Sequence, residues 1–121
     1  MNTIKIMQPV AGINSPTDKL FVDDTSTIDD MKRDCPRFFE HHHGSNYNYT
    51  VHRGCLISRY TLNLRKPERR TAIYLFTTVE GKRRMVHIPT SGRVESVDQG
   101  KRLIDRVLDT GVLEPKFWLR D

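Results

Sequence analysis

The sequence predicts an α+β fold: a small single domain in which an antiparallel sheet of three or more strands carries one main C-terminal helix packed on one face. Three observations predict it. Residues 55–64, 71–79 and 82–88 alternate β-branched, aromatic and polar residues, which is strand composition. Glu80-Gly81, between the last two, is hairpin chemistry. Ser96 to Gly111 then has apolar residues at helical spacing and end residues that suit a helix.

Taken in order, residues 1–45 read as an irregular N-terminal wrap with a short strand and a short helix. Residues 3–7 alternate and suit a strand, and 8–18 hold Pro9, Gly12, Asn14 and Pro16, which are turn residues. Leu20, Phe21 and Val22 suit an edge strand. Ser26 or Thr27 can cap a helix that runs to Asp34, with Asp29 and Asp30 favourable in its first turn. Pro36 ends it, because the residue before proline leaves the α region. Residues 40–48, with three consecutive histidines and a glycine, read as a loop.

Residues 46–121 read as the sheet and helix, one compact domain with what precedes them. Strand composition begins at 47–52. In 55–64, Leu56 and Tyr60 share one face, and Ile57 and Arg59 share the other. Strand 71–79 is apolar on both faces, with Ile73 and Leu75 opposite Tyr74 and Phe76, so it belongs in the middle of the sheet. In 82–88, Val86 and Ile88 oppose Met85 and His87. The helix has Ser96 and Gln99 for a capping box and a stripe of Val97, Leu103, Ile104, Val107 and Leu108. Gly111 fits its left-handed end, and Gly100 invites close approach to the sheet. Phe117, Trp118 and Leu119 would pack back on the body.

The layout of strands 55–64, 71–79 and 82–88 followed by helix 96–110 resembles two nucleic-acid modules. One is the integrase-arm type, whose sheet enters the DNA major groove. The other is the double-stranded RNA-binding type, which needs a further N-terminal helix. The resemblance implies nucleic-acid binding.

Charge points the same way. The 121 residues carry net +5. Residues 1–60 are neutral, with seven bases and seven acids, whereas 61–121 hold thirteen bases and eight acids. Arg65, Lys66, Arg69, Arg70, Lys82, Arg83 and Arg84 face only Glu68 and Glu80 between residues 65 and 84. Arginine outnumbers lysine there, and its planar fork suits phosphates and base edges. Tyr47, Tyr49, Tyr60, Tyr74 and Phe76 lie on or beside the strands, where exposed rings stack on bases of single strands. The expected function is non-catalytic binding of DNA or RNA, in an accessory or regulatory role. The alternative is a small phage-type inhibitor or adaptor that docks through the same arginines on an acidic protein surface of host defence or nucleic-acid machinery.

Cys35, His43, His52 and Cys55 offer a Cys/His ligand set for a structural zinc ion. They match no finger spacing, so two reduced cysteines and a solvated histidine loop are the plainer reading. The acids Asp23, Asp24, Asp29, Asp30 and Asp34 match no calcium-loop spacing and read as a solvated face. The chain has no P-loop, no G-x-G-x-x-G, no H-E-x-x-H and no G-x-S-x-G, so no enzyme is expected; the alternative is a small nuclease or a Cys–His-dependent activity built from the same histidines and cysteines. It has no apolar run of the roughly 18 residues a membrane span needs. Residues 1–20 lack the pattern of a secretory signal, so a cytoplasmic setting is expected, in the host if the protein is viral. An open edge at 82–88 would permit a homodimer.

Overall fold

A computed structural model of the chain describes residues 3–7, 19–42, 44, 46–61, 69–79, 81–88 and 94–111. In order, the elements are β1 (Thr3–Met7), β2 (Lys19–Asp23), α1 (Ile28–Asp34), α2 (Pro36–His41), β3 (Tyr47–His52), β4 (Cys55–Thr61), β5 (Arg69–Val79), β6 (Lys82–Ile88) and α3 (Val97–Thr110). The six strands make one sheet with antiparallel pairing throughout, as expected for an α+β domain.

β5 is the spine of that sheet. β6 pairs along one of its edges, from Ile73↔Ile88 to Val79↔Lys82. Two strands share the other edge: β4 pairs with Arg69 to Leu75, and β2 pairs with Thr77 and Thr78. β2 and β4 therefore follow one another in line, with β1 and β3 paired outside them.

The alternation within β5 decides where the helices go. Ile73 and Leu75 are fully buried with Cys55, Ile57 and Ile88 beneath Leu103, Ile104, Val107 and Leu108 of α3. Phe76 and Leu56 are buried on the opposite face, beneath Met31 of α1 and Phe39 of α2. α3 covers one face, as expected, and α1 and α2 cover the other. A strand with apolar residues on both sides needs cover on both, and residues 19–42 supply the second layer. They are also more regular than the expected wrap. Pro36 ends α1 and then serves as the first residue of α2, where its missing N–H costs nothing. The expected loop at 40–48 is shorter than predicted, because α2 reaches His41 and β3 begins at Tyr47.

The caps match the residue types that predicted them. Thr27 Oγ1 accepts from the Asp30 N–H at 3.3 Å, and Asp30 returns the bond to the Thr27 N–H at 2.9 Å. Ser96 Oγ accepts from the Gln99 N–H at 3.2 Å. The Gln99 side chain accepts from the Glu95 N–H at 2.7 Å, one residue before the expected partner. Gly111 ends α3 with a φ of 69°. A Cβ on Gly100 would stand 3.0 Å from Ile73 Cδ1 and 3.1 Å from Ile57 Cδ1, so this glycine lets α3 sit close on the sheet.

Arg53-Gly54 joins β3 to β4 with φ of 49° and 76°. Two positive φ values in a two-residue turn match the twist of a hairpin. A Cβ on Gly54 would collide with the Asp23 carbonyl, so the turn abuts the end of β2. Arg53 bonds to Asp105 at 3.0 Å and Asp109 at 2.9 Å, and His52 Nε2 donates to Asp105 at 2.8 Å. These bonds tie the hairpin to α3.

Candidate functional site

The face opposite α3 carries a connected group of rings. On β3 and β4, Tyr47 contacts Tyr60 with centroids 4.7 Å apart and Tyr49 at 6.2 Å. His42, just past α2, is stacked on Phe38 at 4.3 Å and lies 5.9 Å from Tyr47 and 6.0 Å from Tyr74. Tyr74 on β5 touches Phe38 at 4.7 Å and His87 of β6 at 5.3 Å. His42 Nδ1 donates to the Phe38 carbonyl at 2.8 Å, since a carbonyl only accepts, and this fixes its ring. Tyr47, Tyr60, Tyr74 and His42 are partly exposed, and His87 is exposed. Tyr49 lies deeper: its hydroxyl is buried, and burial raises its pKa, as it does that of Tyr74. His87 is exposed as a whole, but partial desolvation of its imidazole lowers its pKa. Phe76 is wholly buried and belongs to the core. The sequence pointed to the four tyrosines. It did not point to Phe38, His42 or His87, because a second helix ending at His41 was not foreseen.

The basic residues divide. Arg69 and Arg70 begin β5, opposite Thr61 and Tyr60, at the ring-bearing end of the sheet. Arg84 stands opposite Thr77, roughly 23 Å further along β5 from Arg70. Lys82 and Arg84 are exposed on the strand positions that alternate with Arg83. Arg83 turns inward: its guanidinium lies 3.9 Å from the Phe76 centroid, donates to Thr78 at 3.1 Å and pairs with Asp34 at 3.6 Å. It is a packed residue, whereas Lys82 and Arg84, expected with it as binding cations, are exposed. Arg65 and Lys66 lie outside the described residues.

The proposed zinc ligands are not brought together. Cys55 is buried beneath α3, whereas Cys35 packs with α1, α2 and Met85 on the other face of the sheet. Burial pushes the Cys55 thiol up to about 12 and raises that of Cys35, so both are thiols at neutral pH. His52 is held by Asp105, and His43 lies outside the described residues. No group of three or more His, Cys, Asp or Glu suited to a metal ion occurs among the described residues. The Cys35 thiol donates to the Arg83 carbonyl at 3.7 Å, which partly covers the β6 edge expected to be open.

Of the five acids read as a solvated face, Asp29 is exposed, while Asp23, Asp30 and Asp34 line a cleft of about 480 Å³. Its floor is a row across three strands, Phe21, Thr78 and Arg83, fixed by the register Phe21↔Thr78↔Arg83. Asp23, Thr25 and Ser26 of the β2–α1 turn and Asp30, Arg33 and Asp34 of α1 wall it. Arg33 pairs with Asp30 at 3.2 Å and Asp34 at 3.0 Å. Hydrogen bonds from the Thr25 side chain and N–H hold the Asp23 carboxyl below its ordinary range.

No family model, curated protein or solved structure matches the chain. Its layout also departs from the integrase-arm type it resembles, because α1 and α2 cover part of the face opposite α3. No helix among the described residues is long and apolar enough to cross a membrane.

Proposed function

We propose that the protein is a non-catalytic nucleic-acid-binding protein that takes a single strand, DNA or RNA, on the ring-bearing face of its sheet. The observation that carries this reading is the chain of partly exposed rings Tyr60, Tyr47, His42, Tyr74 and His87. Stacking of a base on an aromatic side chain contributes about 1–3 kcal/mol and accepts any base, because every base has a π-face. Duplex bases are already stacked and cannot use the rings. Arg69 and Arg70, beside Tyr60 in the register, bring positive charge to the same end. Compared with the expected basic hairpin, the site moves towards the start of β5.

Fluorescence anisotropy with labelled single-stranded DNA, single-stranded RNA and duplex DNA at two salt concentrations tests the reading. Both single strands are expected to bind more tightly than the duplex, and affinity should fall with salt. Tyr47→Ala and Tyr60→Ala should each weaken binding at least fivefold, about the smallest stacking contribution of 1 kcal/mol. Failure of all three probes to bind at about 50 mM salt would sink the proposal. A second reading, docking on a protein, draws on one observation: Phe21, at 40% exposure, is an exposed large hydrophobic side chain lining the cleft.

A further inference from the structure

The cleft beside α1 already shows how this chain binds a guanidinium. Arg83 lies over the Phe76 ring, its Cζ 3.9 Å from the centroid, and pairs with the Asp34 carboxylate at 3.6 Å. A planar cation between a ring face and a carboxylate gains from the ring quadrupole and from Coulomb attraction together. Phe21 and Asp23 repeat that pair on the adjoining strand. They stand two residues apart on β2, so their side chains leave the same face of the sheet. Both line the cleft, and Phe21 is 40% exposed.

The two pairs differ in what fills them. Asp34 is taken by Arg33 and Arg83, and Asp30 by Arg33 and the Thr27 N–H. Asp23 accepts from Thr25 through Oδ1 at 3.0 Å and 2.6 Å and has no ion pair within 4.0 Å among the described residues, although the charges of the N-terminus and of Arg83 act on it from further off. No described cation lies over Phe21. With three aspartates and two arginines, the cleft is net negative on a chain of net +5. Its volume of about 480 Å³ exceeds what a guanidinium alone needs, and its size falls in the range of ligand-binding clefts.

We propose that the Phe21–Asp23 pair is a docking point for an arginine side chain of a partner polypeptide. The guanidinium stacks on Phe21, pairs with Oδ2 of Asp23, which has no partner among the described residues, and passes its aliphatic stem over Thr78. Arginine is favoured over lysine because only a planar group can stack on the ring and reach the carboxylate in one pose. This inference does not rest on the nucleic-acid reading, since the cleft and the tyrosine group lie on either side of α1 and α2.

Nuclear magnetic resonance of the ¹⁵N-labelled full chain tests it, with N-acetyl-arginine N-methylamide as the probe. Saturable shifts are expected at the amides of Phe21, Asp23, Thr25 and Thr78. The citrulline counterpart, which keeps the shape and loses the charge, should bind at least fivefold more weakly, and so should the lysine counterpart. Asp23→Asn keeps the acceptor that Thr25 uses, so the turn survives, and it should also cost the arginine probe at least fivefold. Phe21→Leu should weaken arginine while leaving the small lysine affinity unchanged. Equal binding of the citrulline probe, or shifts at other acids and not at these amides, would overturn the proposal. Tighter binding by free arginine than by the blocked residue would overturn the polypeptide partner in favour of the amino acid itself.

Discussion

Arg83 and Arg84 are neighbours in sequence and opposites in physics. Arg83 loses a ring contact, a hydroxyl bond and a carboxylate when truncated, whereas Arg84 is exposed and has no such partners among the described residues. Arg83→Ala is therefore expected to lower stability by about 2–4 kcal/mol, the sum of about 0.5–1 for a partly buried cation–π contact and about 1.5–3 for one charged hydrogen bond. Arg84→Ala should stay within about 0.5 kcal/mol of the parent. Urea denaturation of the two variants checks this. The same scale governs acid behaviour. Burial pushes the Asp105 carboxyl upward, but hydrogen bonds from His52 and Arg53 outweigh it and leave the carboxyl below its ordinary range. A carboxyl with a depressed folded pKa contributes stability above its unfolded pKa, and that contribution is lost as pH falls through the folded one. The β3–β4 hairpin should loosen from α3 below about pH 4, the unperturbed value for an aspartate. Asp105→Asn should flatten that part of a pH titration of the melting temperature.

At the scale of elements, α3 was legible because its signals are local. Ser96, the apolar stripe and Gly111 each sit within a turn of what they control. β5 was legible as a central strand from its two apolar faces, but α2 was not: six residues carry too little periodicity to announce a helix, and Phe38 and Phe39 find their places only against Tyr74 and Tyr49. The cleft was illegible for a related reason. Phe21, Thr78 and Arg83 become neighbours through strand register, which the sequence does not state. Gly100 marks where α3 meets the sheet. Alanine there gains about 1 kcal/mol of helix propensity but must shift the tips of Ile57 and Ile73, which are within 3.1 Å. Gly100→Ala should therefore lie within about 1 kcal/mol of the parent. Gly100→Leu should lose about 1–3 kcal/mol or more, as overpacking does. Thermal melts of the pair separate a close helix–sheet contact from a loose one, in which both variants would be stabilising.

Across the whole molecule, net charge matters through its distribution. A single basic patch built from the residues between 65 and 84 would let every member count equally towards phosphate binding. The sheet separates them instead. Arg69 and Arg70 begin β5 beside Tyr60, and Arg84 lies roughly 23 Å away on the positions that alternate with the inward-facing Arg83. Val86 and Ile88, which share those alternate positions, pack towards α3, so Lys82 and Arg84 belong to the face away from the tyrosines. A strand lying on the rings reaches them only by passing round the edge of β6. The salt dependence of binding reads this directly, because each single-strand phosphate neutralised changes the slope of log affinity against log salt by about 0.7. With an oligonucleotide just long enough to cover Tyr60, Tyr47 and Tyr74, Arg69→Ala with Arg70→Ala should reduce the slope by about 0.7, the share of Arg70, because Arg69 shares the alternate positions of Ile73 and Leu75 on the α3 face. Lys82→Ala with Arg84→Ala should leave it unchanged. Equal reductions from the two pairs would restore the single patch and move the binding path off the ring-bearing face.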